Sequence, residues 1–364
     1  MSSSVSAILN SEFENILSKE INREATLLSL IRKRPERKAT VQWTVNVGGA
    51  KSQGVSITGN SPSASRDQNV PASLPIHVNS LQSTFTVNEK EIVEAAAQVS
   101  EEELRDLVGS YVTSAVEEMQ RSLNEYLFIG DGSVETGGIY GLSTAVGTED
   151  YAGISSNRYN LWQCDIIDLG LDNAGNYEAR TDFGVLSVNY MFNMETKIRT
   201  KGGRYDMILT TPKVLEQYKR LFDKDRNFYH PVGEQRIPLV DLGFGVAGFA
   251  GVPIIDDPHC ARVRSDAERA AIATAEGVSP SAIPELDEGV IYFLRMSDLV
   301  FKSAPVGNTK MIENGVYTQM ERLAKAKLYV TDYAVGTIPQ LELHSRKNCG
   351  RIQNIELETG VTNP

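Results

Sequence analysis

Three kinds of chemistry are spelled within one short stretch, Gly243–Cys260, which reads GFGVAGFAGVPIIDDPHC. Gly243, Gly245 and Gly248 form a G-x-G-x-x-G, the spacing at which a glycine turn lets a dinucleotide pyrophosphate approach a helix N-terminus. Asp256, Asp257, His259 and Cys260 carry atoms that ligate metals. Asp256 beside Asp257 is also a carboxylate pair of the type used in acid–base catalysis. Each possibility makes a demand on the flanking chain that can be checked.

The dinucleotide turn requires a helix directly after its third glycine and an acid ~20 residues further on, at the end of a second strand. Here FAGVPII follows Gly248, with Gly251 and Pro253 where the helix would run. Proline inside a helix costs ~3 kcal/mol or more, and Val-Pro-Ile-Ile favours extended chain. Asp256 comes too early, and Asp266 and Glu268 lie in a polar run. Zinc needs three or four converging ligands, and His77, His230 and His344 form no spaced pair with this segment. A turn bounded by Pro258 accounts for the two acids, which are expected to be solvated. Ser143 sits in GLSTA and lacks the second glycine of a nucleophile elbow. Gly132–Gly138 opens like a phosphate loop, but Ile139 stands where its lysine must be. The sequence is therefore expected to hold no catalytic, cofactor-binding or metal site, and the chain is not expected to be an enzyme.

Length sets the next bound. A chain of 364 residues exceeds the ~250–300 at which a single core stops growing, so subdomains or long appendages are expected. No apolar run approaches the ~20 residues of a membrane-spanning helix. The opening MSSSVSAILNSEFENILSKE lacks the basic start and apolar middle of a signal peptide, which predicts cytoplasmic synthesis. Cys164, Cys260 and Cys349 are few, odd in number and far apart, so no disulfide framework is expected. A net charge of −11 argues against tight nucleic-acid binding. The one basic run, IRKRPERK at Ile31–Lys38, is expected to be a solvated or subunit-contacting arm.

The elements follow from periodicity. Ile8, Phe13, Ile16, Leu17 and Ile21 space a weak helical face, ended by the basic run and Pro35. VQWTVNV (Val41–Val47) alternates as a strand, and a second strand is expected over Ile76–Val87. Between them the Gly/Ser-rich Gly48–Ala72 cannot fill a core, which predicts a large projecting hairpin. Ser100 with Glu103 fits a capping box. Apolar residues from Leu104 through Met119 and Leu123 to Leu127 then recur at steps of three and four until Gly130-Asp131-Gly132. At ~1.5 Å per residue this helix is ~40 Å long, a spine for a domain. Asp182–Arg199 reads as a helix, Tyr205–Thr210 as a buried strand, and Thr211-Pro212 as the start of a third helix. Strands are expected at Val252–Ile255, Val290–Leu294, Leu299–Ser303, Ala326–Ala334 and Gln340–His344, with an Ala-rich insertion over Ala267–Ala282.

These segments carry a resemblance. The spine helix running into LNEYLFIGDGSVETGGIYGL (Leu123–Leu142) resembles the signature of the major capsid protein of tailed bacteriophages, whose fold is shared with encapsulins. RYDMILTTPKVLEQYKRL (Arg204–Leu221) resembles that family's strand-then-helix unit. FAGVPIIDDP (Phe249–Pro258) resembles its apolar strand and acidic turn, and VIYFLRMSDLVFKS its later strand pair. The resemblance covers Leu81–His344 in the same order.

It implies an α+β fold with an N-terminal arm at 1–40 and an extended β-hairpin loop at 41–87. A peripheral domain with the spine helix follows at 88–137, and an axial domain with a mixed sheet flanked by helices at 138–295. Return strands of the peripheral domain at 296–345 and a C-terminal tail at 346–364 complete it. The implied function is a structural one. Hexamers and pentamers of the chain would tile an icosahedral head shell around double-stranded DNA, bound without sequence specificity. Scaffolding, portal and decoration or cement proteins are implied partners, the virion is the implied location, and no cofactor or membrane is involved. An encapsulin-like bacterial compartment shell is the alternative, and a soluble metal- or nucleotide-dependent enzyme a more distant one. Some family members crosslink a loop lysine to a neighbour's asparagine. Lys51 is the sole lysine available for that here, with Asn308, Asn314 or Asn348 as partners.

Overall fold

The computed structural model describes residues 26–47, 69–76, 80–88, 101–223, 247–304, 310–311, 317–323 and 330–357. The short helix α1 (Thr26–Leu30) leads into strand β1 (Arg32–Pro35), then β2 (Thr40–Asn46), β3 (Asn69–Pro75) and β4 (Leu81–Asn88). The long helix α2 (Glu101–Ile129) follows, and after it the single turn α3 (Leu142–Ala145). Met119, Leu123, Leu127 and Phe128 of α2 are buried in the larger of two main apolar cores. The expected cap Ser100 and the first apolar positions of this helix lie outside what is described. Gly130 and Gly141 close its C-terminal end: Gly130 N–H donates to the Tyr126 carbonyl, and Gly141 N–H to the Gly130 carbonyl. A Cβ on Gly141 would sit 2.7 Å from both Gly130 N and the Tyr126 carbonyl oxygen. Only glycine fits there.

The second core fills a mixed sheet. Its strands are β5 (Asp165–Asp168), β6 (Met207–Thr210), β7 (Ala247–Phe249), β8 (Val252–Asp256), β11 (Ile291–Leu294) and β17 (Gly350–Gln353), in the order β5-β17-β11-β6-β8-β7. β6–β8 and β17–β5 are parallel pairs and the other pairs antiparallel. Helices α4 (Val188–Thr200) and α5 (Pro212–Asp223) pack on it through Met191, Met194 and Ile198, and through Val214, Leu215 and Tyr218. Thr211 caps α5 by accepting the Val214 N–H at 3.3 Å, with Pro212 at the first helical position, as the sequence predicts. α4 starts six residues later than expected, because Ser187 rather than Asp182 caps it and Arg180–Asp182 forms a short 3-10 turn.

An inserted unit holds β9 (Arg262–Val263), the helix α6 (Asp266–Glu276) and β10 (Leu286–Asp287). Ser265 caps α6, and Gly277 ends it in the left-handed region at φ 69°. Two further sheets use the late strands. β12 (Leu299–Ser303) lies between β1 and β16 (Pro339–Leu343). β15 (Val330–Thr337) lies between β4 and β14 (Tyr317–Arg322), and β13 (Lys310–Met311) pairs with the outer side of β14. No helix among the described residues is long and apolar enough to cross a membrane.

Two expectations need correction. The strand that returns beside β2 is β3, in register from Thr40 opposite Pro75 to Asn46 opposite Asn69; it is not the Ile76–Val87 segment. That segment forms β4, which pairs along its full length with β15 in a different sheet. NVPASLP does alternate, with Ala72 and Leu74 buried and Pro71, Ser73 and Pro75 exposed, but two prolines disguise it. Prolines are tolerated because a two-stranded ribbon has no interior strand. The hairpin root is also not a free limb: Val41, Trp43, Val45, Ala72 and Leu74 all belong to the main core. The Ser73 N–H donates to the Ala152 carbonyl, and Gln340 Nε2 to the Pro75 carbonyl.

The second correction concerns 346–364, expected as a tail. Its first part carries β17, inside the six-stranded sheet between β5 and β11. Gly-Arg-Ile-Gln shows no apolar run, yet all four residues are buried.

Candidate assembly interface

The acids of the opening motif are separated by the fold. Asp256 ends β8, whereas Asp257 is completely buried and solvated by nothing. Its carboxylate accepts from Asn124 Nδ2 at 3.1 and 3.0 Å, from the Leu27 N–H at 3.4 Å and from the His259 N–H at 2.9 Å. One side chain thereby ties the sheet to both α1 and α2. Solvated acids were expected here, and Asp257 corrects that: a turn residue can be recruited by a distant helix, which local sequence does not reveal. Gly248 lies in β7, beyond which the chain turns back through Ala250 and Gly251 into β8, so no helix meets a phosphate at this point. Gly243 and Gly245 lie outside the described residues. Among the described residues, no three His, Cys, Asp or Glu side chains are grouped as a metal would need.

The other tempting residues are structural. Ser143 Oγ accepts the Val263 N–H at 3.1 Å, and the Ser143 carbonyl accepts from Arg351. Asp131 Oδ1 accepts the Ser133 N–H and the Thr136 hydroxyl, closing the turn after the spine. Cys164, Cys260 and Cys349 are free and buried, and burial pushes all three thiols up, away from thiolate reactivity.

Two buried arginine clusters were not foreseen. Arg262 donates to Glu268 and to Asp287, and Arg264 to Asp287 and Asn354, all inside the protein. Asn354 donates in turn to Asp168 and Glu268, which fastens the inserted unit to the main sheet. Burial alone would raise the Glu268 carboxyl, but the Arg262 guanidinium beside it outweighs this and holds it below its usual range. Arg346, fully buried, donates to the carbonyls of Ala145, Gly147, Glu149 and Trp162. Removing one partner of the buried Arg262–Glu268 pair would leave an uncompensated charge inside the protein. Among the described residues a depression of about 620 Å³ lies as an open trough between the end of α4 and the β7–β8 turn, lined by Glu195, Arg199, Arg204 and Tyr205. Glu195 there is already paired with Arg199 at 2.6 Å.

Val134, at the tip of the turn after α2, is 75% exposed, and Phe192 of α4 is 52% exposed while packing on Phe249. β1 forms the outer strand of its sheet, with Arg32 and Arg34 in solvent. Single exposed apolar residues of this kind are ordinary on a protein surface, whereas an outer strand presents backbone N–H and C=O groups that a further strand can meet.

A long spine helix against late return strands, a core-rooted hairpin and a helix-flanked mixed sheet together define the fold shared by tailed-phage major capsid proteins and encapsulins. A chain of the cyanophage A-1(L) capsid asymmetric unit is similar over 92% of this chain and 93% of its own, with TM-score 0.66 and 18% identity. The capsid of a native GTA particle is similar over 90% and 89%, with TM-score 0.56 and 11% identity. The encapsulin of a holo-SrpI complex from Synechococcus elongatus is similar over 93% and 90%, with TM-score 0.55 and 10% identity. No family model and no curated protein matches the sequence.

Proposed function

We propose that this chain is the major capsid protein of a tailed bacteriophage, a structural subunit rather than an enzyme. Copies form hexamers and pentamers, and these close an icosahedral shell around double-stranded DNA in the virion. The observation that carries this proposal is the likeness to the cyanophage capsid chain, which extends over 92% of this chain and 93% of that one. In this reading the six-stranded sheet with α4, α5 and the inserted unit is the axial domain. The spine helix with β4, β14 and β15 is the peripheral domain, and the hairpin that β2 and β3 root is the extended loop. The acidic chain leaves packaged DNA loosely held. Scaffolding, portal and decoration proteins are its further partners.

An encapsulin-like compartment is the second reading, favoured by the comparable likeness to the encapsulin. Negative-stain microscopy of the chain expressed alone, with the contents of any particles assayed, tests both. The capsid reading expects closed shells that acquire nuclease-protected DNA when the viral packaging machinery is present. Shells that load a protein cargo and never DNA favour the compartment. A protein that forms no large particle under any condition refutes both. The Lys51 crosslink is a proposal of the same kind. Asn348 makes a poor partner for it, since its amide is buried between Asp298 and the Arg204 N–H.

A further inference from the structure

The basic run Ile31–Lys38 is held to the body by buried Ile31, by the backbone pairing of β1 with β12 and by Glu36, while most of its cationic side chains stay outside. Among the described residues β1 pairs with β12 alone, Arg32 opposite Val300 and Arg34 opposite Lys302, and its other edge carries no strand. Arg32, Arg34, Arg37 and Lys38 are exposed, and among the described residues none of their side chains has an ion-pair partner. Glu36, the single acid in the run, is taken by Lys302 at 3.3 Å. A proline or one lysine is enough to blunt an edge strand against stray pairing, and Pro35 already does that. Three arginines and two lysines within seven residues exceed the need.

We propose that this edge is a copy-to-copy contact, docking on the acidic stretch of α2 in a second subunit. The inference rests on the shell reading and specifies one of its interfaces. From Glu101 to Arg121 that helix carries Glu101, Glu102, Glu103, Asp106, Glu117 and Glu118 against two arginines, and Glu117 and Glu118 are exposed. The chain thus holds one concentrated basic segment and one concentrated acidic helix, and among the described residues the exposed Arg32, Arg34, Arg37 and Lys38 pair with no acid. Copies that each carry −11 repel one another. A contact that sets the positive edge of each against the negative helix of the next turns part of that repulsion into attraction. It also gives the head-to-tail sense that a ring of identical subunits requires. Nucleic-acid phosphate is the competing anion. The net negative chain repels it, and no aromatic side chain is interleaved in the run to stack on a base.

The test is a charge swap in the full chain, read by sedimentation and electron microscopy, with circular dichroism confirming the fold. R32E/R34E lowers the assembled fraction about tenfold near 0.1 M salt, a loss that salt-screened surface pairs repeated around a shell can supply. Adding E117R/E118R to the same chain restores assembly. Should the glutamates disturb β1, R32A/R34A gives the same direction with a smaller loss. Assembly of R32E/R34E at wild-type yield overturns the contact while leaving the shell reading intact. So does a loss that the swap fails to rescue. Shells that form normally but no longer retain a 20-base-pair duplex, about two helical turns, would assign the patch to nucleic acid instead. Wild-type protein that stays monomeric defeats the shell reading itself, and this contact with it.

Discussion

Replacing Asp257 by alanine should unfold the joint between the sheet and the two helices. The carboxylate serves three donors: the Leu27 N–H, Asn124 Nδ2 and the His259 N–H. Leu27 and Asn124 are fully buried, so water cannot replace the lost acceptor. A buried donor left without a partner costs ~1–3 kcal/mol. Two such donors and a partly exposed third give a loss of ~3–5 kcal/mol. Asp257→Asn keeps one acceptor oxygen but turns an N–H₂ toward groups that are themselves donors, so it should lose about half as much. Urea unfolding of the unassembled chain, followed by Trp43 and Trp162 fluorescence, reads this directly because both rings are buried. A double-mutant cycle with Asn124→Ala should show a coupling of ~1 kcal/mol or more. An Asp257→Ala midpoint within ~0.5 kcal/mol of wild type, the scatter of an ordinary surface substitution, would refute the reasoning.

Two further outcomes follow from the interior. The Glu268 carboxyl is held below its ordinary value of 4.5, so its contribution is complete above about that pH and is lost as pH falls through the lower folded value. Acid unfolding below pH 4.5 should therefore be shallower in Glu268→Gln, which at neutral pH is less stable by ~3–5 kcal/mol for a broken buried pair; an unchanged acid limb would count against the cluster. Gly141→Ala places a Cβ 2.7 Å from Gly130 N and the Tyr126 carbonyl oxygen. It should lower thermal stability by ~1–3 kcal/mol, the ordinary cost of overpacking, and a neutral melt would show that the end of the spine is looser than described.

Much of this architecture was legible because its elements are written in period and caps. α2 repeats apolar residues at helical steps, Thr211-Pro212 announces α5, and Leu299–Ser303 forms β12 with the bounds expected of it. β3 was missed because Pro71 and Pro75 hide an alternation that only its burial exposes. β17 was missed because Arg351 and Gln353 look like surface residues, whereas both are buried in the middle of a sheet. The arginine clusters could not be read locally at all. Arg262 meets Asn354 across 92 positions, and Arg346 meets the Ala145 carbonyl across 201. Asp257 failed for the same reason, since its partner Asn124 lies 133 residues away. The extended chain expected of Val-Pro-Ile-Ile is present as β8, entered through a turn at Ala250-Gly251.

Imaging of the purified chain, expressed with no viral or cellular partner and brought to assembly salt, bears on the central claim most directly. Closed particles or curved sheets whose class averages resolve six-fold and five-fold rings are the expected result. A single small species that stays globular and dispersed at every salt and protein concentration would contradict it.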